Sequence, residues 1–316
     1  MTKTEYRIAN APCSWGILDF DPTHQIGFSK LLDEISATGY AGTELGAWGF
    51  MPTDAAKLHS ELTQRALAMV GAFVQVSLTD EKAHASGIET AVRTAALLAA
   101  VHRMQPDAPA PPLVLSDTIG GNPMRAQRAG RIRREDGLKP AQWDVFARGA
   151  NRIAAAVREA TGVRTVFHHH CAGFVETPEE VSALMDRTDP TLLGLCLDTG
   201  HYTVGGGDQL GDPLEALRRF GNRVWHVHFK DCQPAVAEIR DGNGKITGHR
   251  PYSEAVSNDL FCELGKGVVE FPALLAELDA RTYQGWVVVE QDILPGAGDP
   301  KASAGRNREY LKSLGR

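Results

Sequence analysis

This chain has no CxxC pair, no long block of lysine and arginine, and no apolar run near the roughly 18 residues that a membrane span needs. Each lack closes a class of function. Without paired basic stretches, and with a formal net charge of −6, nothing follows a phosphate backbone, so a nucleic-acid partner is not expected. The densest basic stretch, Arg125 to Arg134, reads as a solvated loop. The five cysteines (Cys13, Cys171, Cys196, Cys232, Cys262) are scattered and odd in number, which fits thiols in a reducing compartment and no disulfide. The opening MTKTEYRIANAPCSWG has no apolar core of signal-peptide length, so the reading is a cytoplasmic protein with no membrane partner.

A glycine-rich phosphate cradle is missing too. The first apolar run ends in ProCysSerTrpGly (12–16), and the cluster Gly205 to Gly207 does not make GxGxxG. What is present is a rhythm of short apolar runs and helix-length amphipathic stretches. Strands are expected at 7–11, 42–46, 70–76, 113–116, 163–168, 194–198, 224–229 and 286–290. Helices are expected at 28–38, 55–69, 87–101, 141–161, 178–187, 212–220 and 271–280. Thr177 and Glu180 form a capping-box pattern with Pro178 between them, and Asp212–Pro213 opens a helix in the same way. Eight strand–helix alternations in 316 residues predict an α/β fold, a single (β/α)8 TIM barrel of parallel strands spanning 1–316. Two stretches break the rhythm, 105–139 (105–112 and 117–139) and 232–268. Long loops on the active-site face are thus expected near 105–139 and 232–268, since 117–139 and 232–268 follow strands, either as pocket walls or as plain surface insertions.

The chemistry concentrates at strand ends. His168, His169 and His170 follow the fifth strand, Asp198 and His201 end the sixth, His226 and His228 lie in the seventh, and Glu290 and Asp292 end the eighth. Side chains alternate faces along a strand, so His226 and His228 share one, as do His168 and His170, while His169 points away. Each alone has a plain reading. A buried histidine is commonly a hydrogen-bonded core residue, and Asp198 could be a helix N-cap. Four consecutive strand ends carrying such groups are different, because burying them together without a cation is costly. Mn²⁺ or Co²⁺, with Zn²⁺ or Mg²⁺ as further options, fits the set.

The runs ANAPCSWG, GYAGTELG (39–46), FHHHCAGFVETPEE (167–180), LCLDTGHY (195–202), HVHFKD (226–231), ELGKGVVEF (263–271) and GWVVVEQD (285–292) resemble the xylose-isomerase-like TIM-barrel superfamily of sugar-phosphate isomerases and epimerases. Within it they are most similar to the inosose (2-keto-myo-inositol) dehydratase branch, over about residues 6–312. The resemblance implies one divalent metal held by His168 (or His170), Asp198, His228 and Glu290, with His201 near a position that touches substrate. Isomerases and epimerases of the group usually carry a Glu on strand five, where this chain has His. That favours a lyase dehydrating a keto-polyol through an enolate over an isomerase or epimerase using the same metal site. His170 or His201 would move the proton. Lys230 and Glu44 would steady the departing hydroxyl or substrate oxygens, unless Lys230 simply partners nearby carboxylates. A metal-dependent endonuclease would want a basic groove, and a silent sugar-binding module would bind no metal. The partner is thus a small polyol or sugar, with a homo-oligomer left open.

Overall fold

The computed structural model describes residues 7–17, 26–293 and 298–316; residues 1–6, part of the opening segment read above for a signal peptide, lie outside them. Eight parallel strands close into a barrel: β1 (Arg7–Asn10), β2 (Gly42–Glu44), β3 (Ala68–Gln75), β4 (Leu113–Ser116), β5 (Thr165–His168), β6 (Leu193–Asp198), β7 (Val224–Phe229) and β8 (Trp286–Val289). They pair in sequence order, and β8 returns to β1 through Arg7↔Trp286 to Asn10↔Val289. The helices are α1 (Phe28–Ala37), α2 (Ala55–Thr63), α3 (Ala83–Met104), α4 (Pro123–Arg128), α5 (Pro140–Thr161), α6 (Pro178–Arg187), α7 (Thr199–Gly205), α8 (Pro213–Phe220), α9 (Tyr252–Ser257), α10 (Phe271–Ala280) and α11 (Pro300–Ser313). The strand and helix pattern of a (β/α)8 barrel is therefore what the chain adopts. No helix of the described residues is long and apolar enough to cross a membrane.

Local chemistry explains the starts and stops. Thr177 Oγ1 accepts the Glu180 amide at 3.2 Å, and the Glu180 carboxylate accepts the Thr177 amide at 3.1 Å. Asp212 accepts from the Leu214 and Glu215 amides, with Pro213 at the first helical position. The stretch 55–69 divides earlier than its periodicity suggests: α2 stops at Thr63, Ala66 turns through φ 55°, and β3 begins at Ala68.

The core has two shells. Between strands and helices lie Leu31, Ile35, Leu58, Leu98, Phe146, Ile153, Leu184, Leu195, Leu217 and Leu274. Inside the barrel, the lower half is filled by Ala9, Val70, Trp286 and Val288, with Val114, Val166 and Cys196 beside them. Alternate residues along the same strands carry the ionisable groups at the upper end.

Two expectations need correction. The basic stretch from Arg125 is not a solvated loop. Asn122 caps α4 through the Met124 and Arg125 amides, and Arg125 is fully buried, paired with Glu180 at 2.8 and 2.7 Å. Charge density along the sequence could not reveal that partner 55 residues away. Within 105–139, residues 105–112 lie at the other end of the barrel: Gln105 donates to the Leu67 carbonyl ahead of β3, and Trp286 at the start of β8 donates to Pro109.

Candidate metal centre and active site

A cavity of about 550 Å³ opens at the C-terminal ends of the strands. Glu44, His168, His170, His228, Glu290 and Asp292 reach it from the barrel. Its walls include Ile119, Pro123 and Gln127 from 117–139, and Pro251, Tyr252 and Val256 from 232–268.

At the floor, His168 (β5), Asp198 (β6), His228 (β7) and Glu290, one residue past β8, offer ligand atoms that all lie within 4.8 Å of one another. All four are buried. The register explains the meeting: Asp198 pairs with His228 across β6 and β7, and His168 with Cys196 across β5 and β6. His228 Nδ1 is 3.2 Å from Glu290 and 3.9 Å from Asp198, and His168 Nε2 is 3.6 Å from Asp198. Asp198 Oδ1 accepts the His201 amide at 2.8 Å, capping α7. Its Oδ2 and His228 Nδ1 are buried without a hydrogen bond, although both face the common centre. Asp198 is thus both the helix cap and a member of the cluster.

This set fits a divalent ion. Two imidazoles and two carboxylates suit Mn²⁺, Co²⁺ or Zn²⁺. Two of the candidate ligand atoms, Asp198 Oδ2 and His228 Nδ1, make no hydrogen bond and have only charged neighbours, Lys230 and Glu290. Three carboxylates (Asp198, Glu290, Asp292) crowd one ammonium, Lys230, in a buried place, an arrangement that a bound cation would ease.

Lys230 Nζ lies 3.4 Å from Asp198, 3.1 Å from Glu290 and 3.0 Å from Asp292, and 3.1 Å from His201 Nε2. Burial opposes its charge, but the three carboxylates outweigh burial and hold its pKa well above the usual value. Burial likewise opposes the charge of Asp198 and Glu290, yet Lys230 and the imidazoles keep both well below the usual carboxylate range. Asp292 goes the other way, since burial and Glu290 raise it more than Lys230 lowers it. His228 is held well above the usual imidazole value, against burial, by Cys196 and by the carboxylates on either side.

His170 and His201 pack closely, ring centroids 3.7 Å apart and planes tilted by 38°, and burial depresses both well below the ordinary imidazole value. Their surroundings differ. His170 Nδ1 is 2.6 Å from the Cys171 carbonyl, so Nδ1 carries the proton and Nε2 keeps its lone pair, and the ring lines the cavity. His201 is fully buried, with Lys230 at Nε2 and the Cys171 amide at Nδ1, and does not reach the cavity wall. His169 points away, where its Nε2 accepts the Asp198 amide at 3.3 Å. Glu44 is not free to meet a substrate through Oε1, because that oxygen accepts from His226 at 2.8 Å and from His228 at 3.0 Å. Sequence reading missed Tyr252, which lines the cavity and donates to Asp292 at 3.4 Å. No strand-end signal marks it, since it sits in α9 within the long connection after β7.

The sequence model of the family described as Xylose isomerase-like TIM barrel matches residues 32–314. Among relatives, an inosose dehydratase of Geobacillus kaustophilus is 29% identical over 319 residues, covering 99% of this chain and 96% of the relative. One of Clostridium perfringens is 29% identical over 320 residues, covering 99% and 98%. Among solved structures, the probable 3-DHS dehydratase AsbF of Bacillus anthracis superposes with a TM-score of 0.65 at 16% identity, covering 97% of this chain and 98% of the other. The D-allulose 3-epimerase of Methylomonas sp. does so with a TM-score of 0.65 at 16% identity, covering 99% and 100%. At these identities the structural likeness speaks for the fold alone.

Proposed function

The chain belongs to the xylose isomerase-like TIM barrel family, and from that premise we propose that it is a metal-assisted hydro-lyase removing water from a keto-polyol of the keto-inositol class. The observation that carries this reading is the histidine-bearing end of β5: where a two-carboxylate isomerase would hold a glutamate, the cavity presents His168 to the cluster and His170 to the substrate space. The full-length relatives called inosose dehydratase support the same substrate class.

His168, Asp198, His228 and Glu290 would hold the metal. When bound, the ion supplies a Lewis acid for the ketone oxygen and its neighbouring hydroxyl, favouring the negative charge that develops as the α-proton leaves. His170 is the base. Its ring lines the cavity, its Nδ1–H is fixed on Cys171, and Nε2 therefore keeps the lone pair that takes the proton. A depressed pKa makes its conjugate acid ready to give the proton up. The α-C–H proton passes to Nε2, the C–O bond to the β-hydroxyl breaks, and the same proton leaves with that oxygen as water, so the atoms balance. Tyr252, whose hydroxyl burial keeps protonated, and Asp292 line the same space and would hold substrate hydroxyls. Lys230 and His201 act behind the wall. Lys230 keeps Asp198 and Glu290 ionised, and His201 packs against His170.

The test is metal analysis of the purified protein, followed by a panel of keto-inositols and ketoses in D₂O watched by NMR. Loss of water to an unsaturated or tautomerised product is expected. Deuterium entering the substrate with no loss of water would make the chain an isomerase or epimerase instead.

A further inference from the structure

Beneath the four candidate ligands lies a second buried group, Glu44, His226 and His228, whose atoms also fall within 4.8 Å of one another. Unlike the group above, these three are hydrogen-bonded among themselves. We propose that Glu44 is a positioning residue for the metal centre: it takes the Nε2–H of His228, so that Nδ1 is the nitrogen offered to the ion, and His226 anchors Glu44 from below. This rests on the reading of the centre given above.

Three independent features of the barrel build the arrangement. First, β2 and β3 slip register at this point: Thr43 pairs with Met69 but Glu44 pairs with Gly71, so β3 carries one extra residue opposite Glu44. Second, β6 and β7 slip likewise, Leu195 pairing with Val224 but Cys196 with His226, so β7 carries an extra Trp225. A bulge re-aims the side chains that follow it. Both bulges act on the partners of this one carboxylate. Third, the residue beside Glu44 is glycine: a Cβ on Gly71 would stand 3.0 Å from Glu44 Oε1 and 3.5 Å from His226 Nε2. Only the smallest residue leaves the carboxylate its place.

The chemistry follows from proton counting. His228 lies between Glu290 at Nδ1 (3.2 Å) and Glu44 at Nε2 (3.0 Å). A metal at Nδ1 replaces the proton there, and the Nε2–H must then go to an acceptor. Glu44 provides it, its buried Oε1 3.0 Å from that nitrogen. A carboxylate in that position fixes the ring's tautomer and orientation and strengthens the imidazole as a ligand.

The experiment is Co²⁺ titration of the whole metal-free protein, read by the visible absorption of the bound ion and by its dissociation constant. The ¹⁵N imidazole spectrum of the Zn²⁺-loaded protein is recorded alongside. Glu44→Gln should weaken Co²⁺ binding by about 10- to 100-fold, the usual cost of losing an outer partner of a ligand, and should shift the absorption band. Glu44→Asp, with the charge but a shorter reach, should fall between that variant and wild type. Gly71→Ala keeps every polar group and should weaken binding in the same direction by less. The wild-type Zn²⁺ form should show His228 protonated at Nε2. Should Glu44→Gln not fold, Glu44→Asp and Gly71→Ala decide. If all folded variants bind Co²⁺ with the wild-type constant and spectrum, the inference is wrong while the metal centre stands. If the wild-type protein takes up no Co²⁺ or Zn²⁺, the centre itself is misread and the inference falls with it.

Discussion

Two clusters of charge are buried in this barrel, and they are built on opposite terms. Around Arg125, every group is answered: its guanidinium bonds Glu180 twice and the Gly173 and Asp136 carbonyls, and Glu180 also accepts the Glu176 and Thr177 amides. Around Lys230, Asp198 Oδ2 and His228 Nδ1 have no hydrogen bond at all. Both clusters are buried, where an unpaired polar atom is expensive. The closed cluster ties the segment 117–139 to the loop that carries His170. The open one keeps unspent valence pointed at a single place. Burial and charge are common to both, so neither marks function; unsatisfied donors and acceptors converging on one point do.

That contrast can be tested by removing one member at a time. Asp198→Asn keeps the α7 cap through Oδ1 but removes the charge, and it should lose metal and activity by more than the roughly 100-fold typical of an outer-shell change. Thermal unfolding should stay near wild type, and a large drop in melting temperature at unchanged metal content would move Asp198 into the structural class. His170→Gln should cut the rate by about 10²–10⁴, the usual worth of one acid–base group, with metal content unchanged. Loss of metal together with rate would place His170 among the ligands. Arg125→Met breaks the closed cluster and leaves Glu180 buried without its partner. Urea unfolding should show a loss of about 3–5 kcal/mol, while Co²⁺ affinity of the folded protein holds. If metal affinity falls too, the two clusters are one network.

The smallest effect concerns pH. Burial lifts Glu176 to about 7, although the Gly130 and Ala172 amides and Arg125 pull it down. Its folded pKa is above the unfolded value near 4.5, so the folded state holds the proton longer than the unfolded chain does. Stability from this group is therefore complete below about pH 4.5 and is lost as the pH rises to about 7. The difference between wild-type and Glu176→Gln unfolding curves should grow across that window and flatten above it. A difference independent of pH would mean Glu176 is ionised throughout.

The alternation of short apolar runs with amphipathic stretches was enough to give eight parallel strands, because strand and helix each leave a period in the sequence that burial enforces. The same alternation gathered His168, Asp198, His228 and Glu290 at strand ends, and the end of a strand in a closed barrel is one place whatever the distance along the chain. What the sequence left open turned on a hydrogen bond or a register slip. His168 and His170 share a face, and only the Cys171 carbonyl at Nδ1 of His170 and the Asp198 oxygen beside His168 separate them. His201 was expected near substrate, and the fold sets it between Lys230 and the Cys171 amide. Glu44 was expected to steady substrate oxygens, and in the fold it lines the cavity while one of its oxygens accepts from both seventh-strand histidines, next to register slips in β3 and β7. Arg125 belonged to a run of charge that looked solvated, and its partner was a helix N-terminus 55 residues on. Periodicity is a property of neighbours in sequence, so the chain by itself determined the barrel and the strand ends that carry chemistry. Partnership between side chains depends on tenths of an ångström between distant strands, and only the closed barrel decides it.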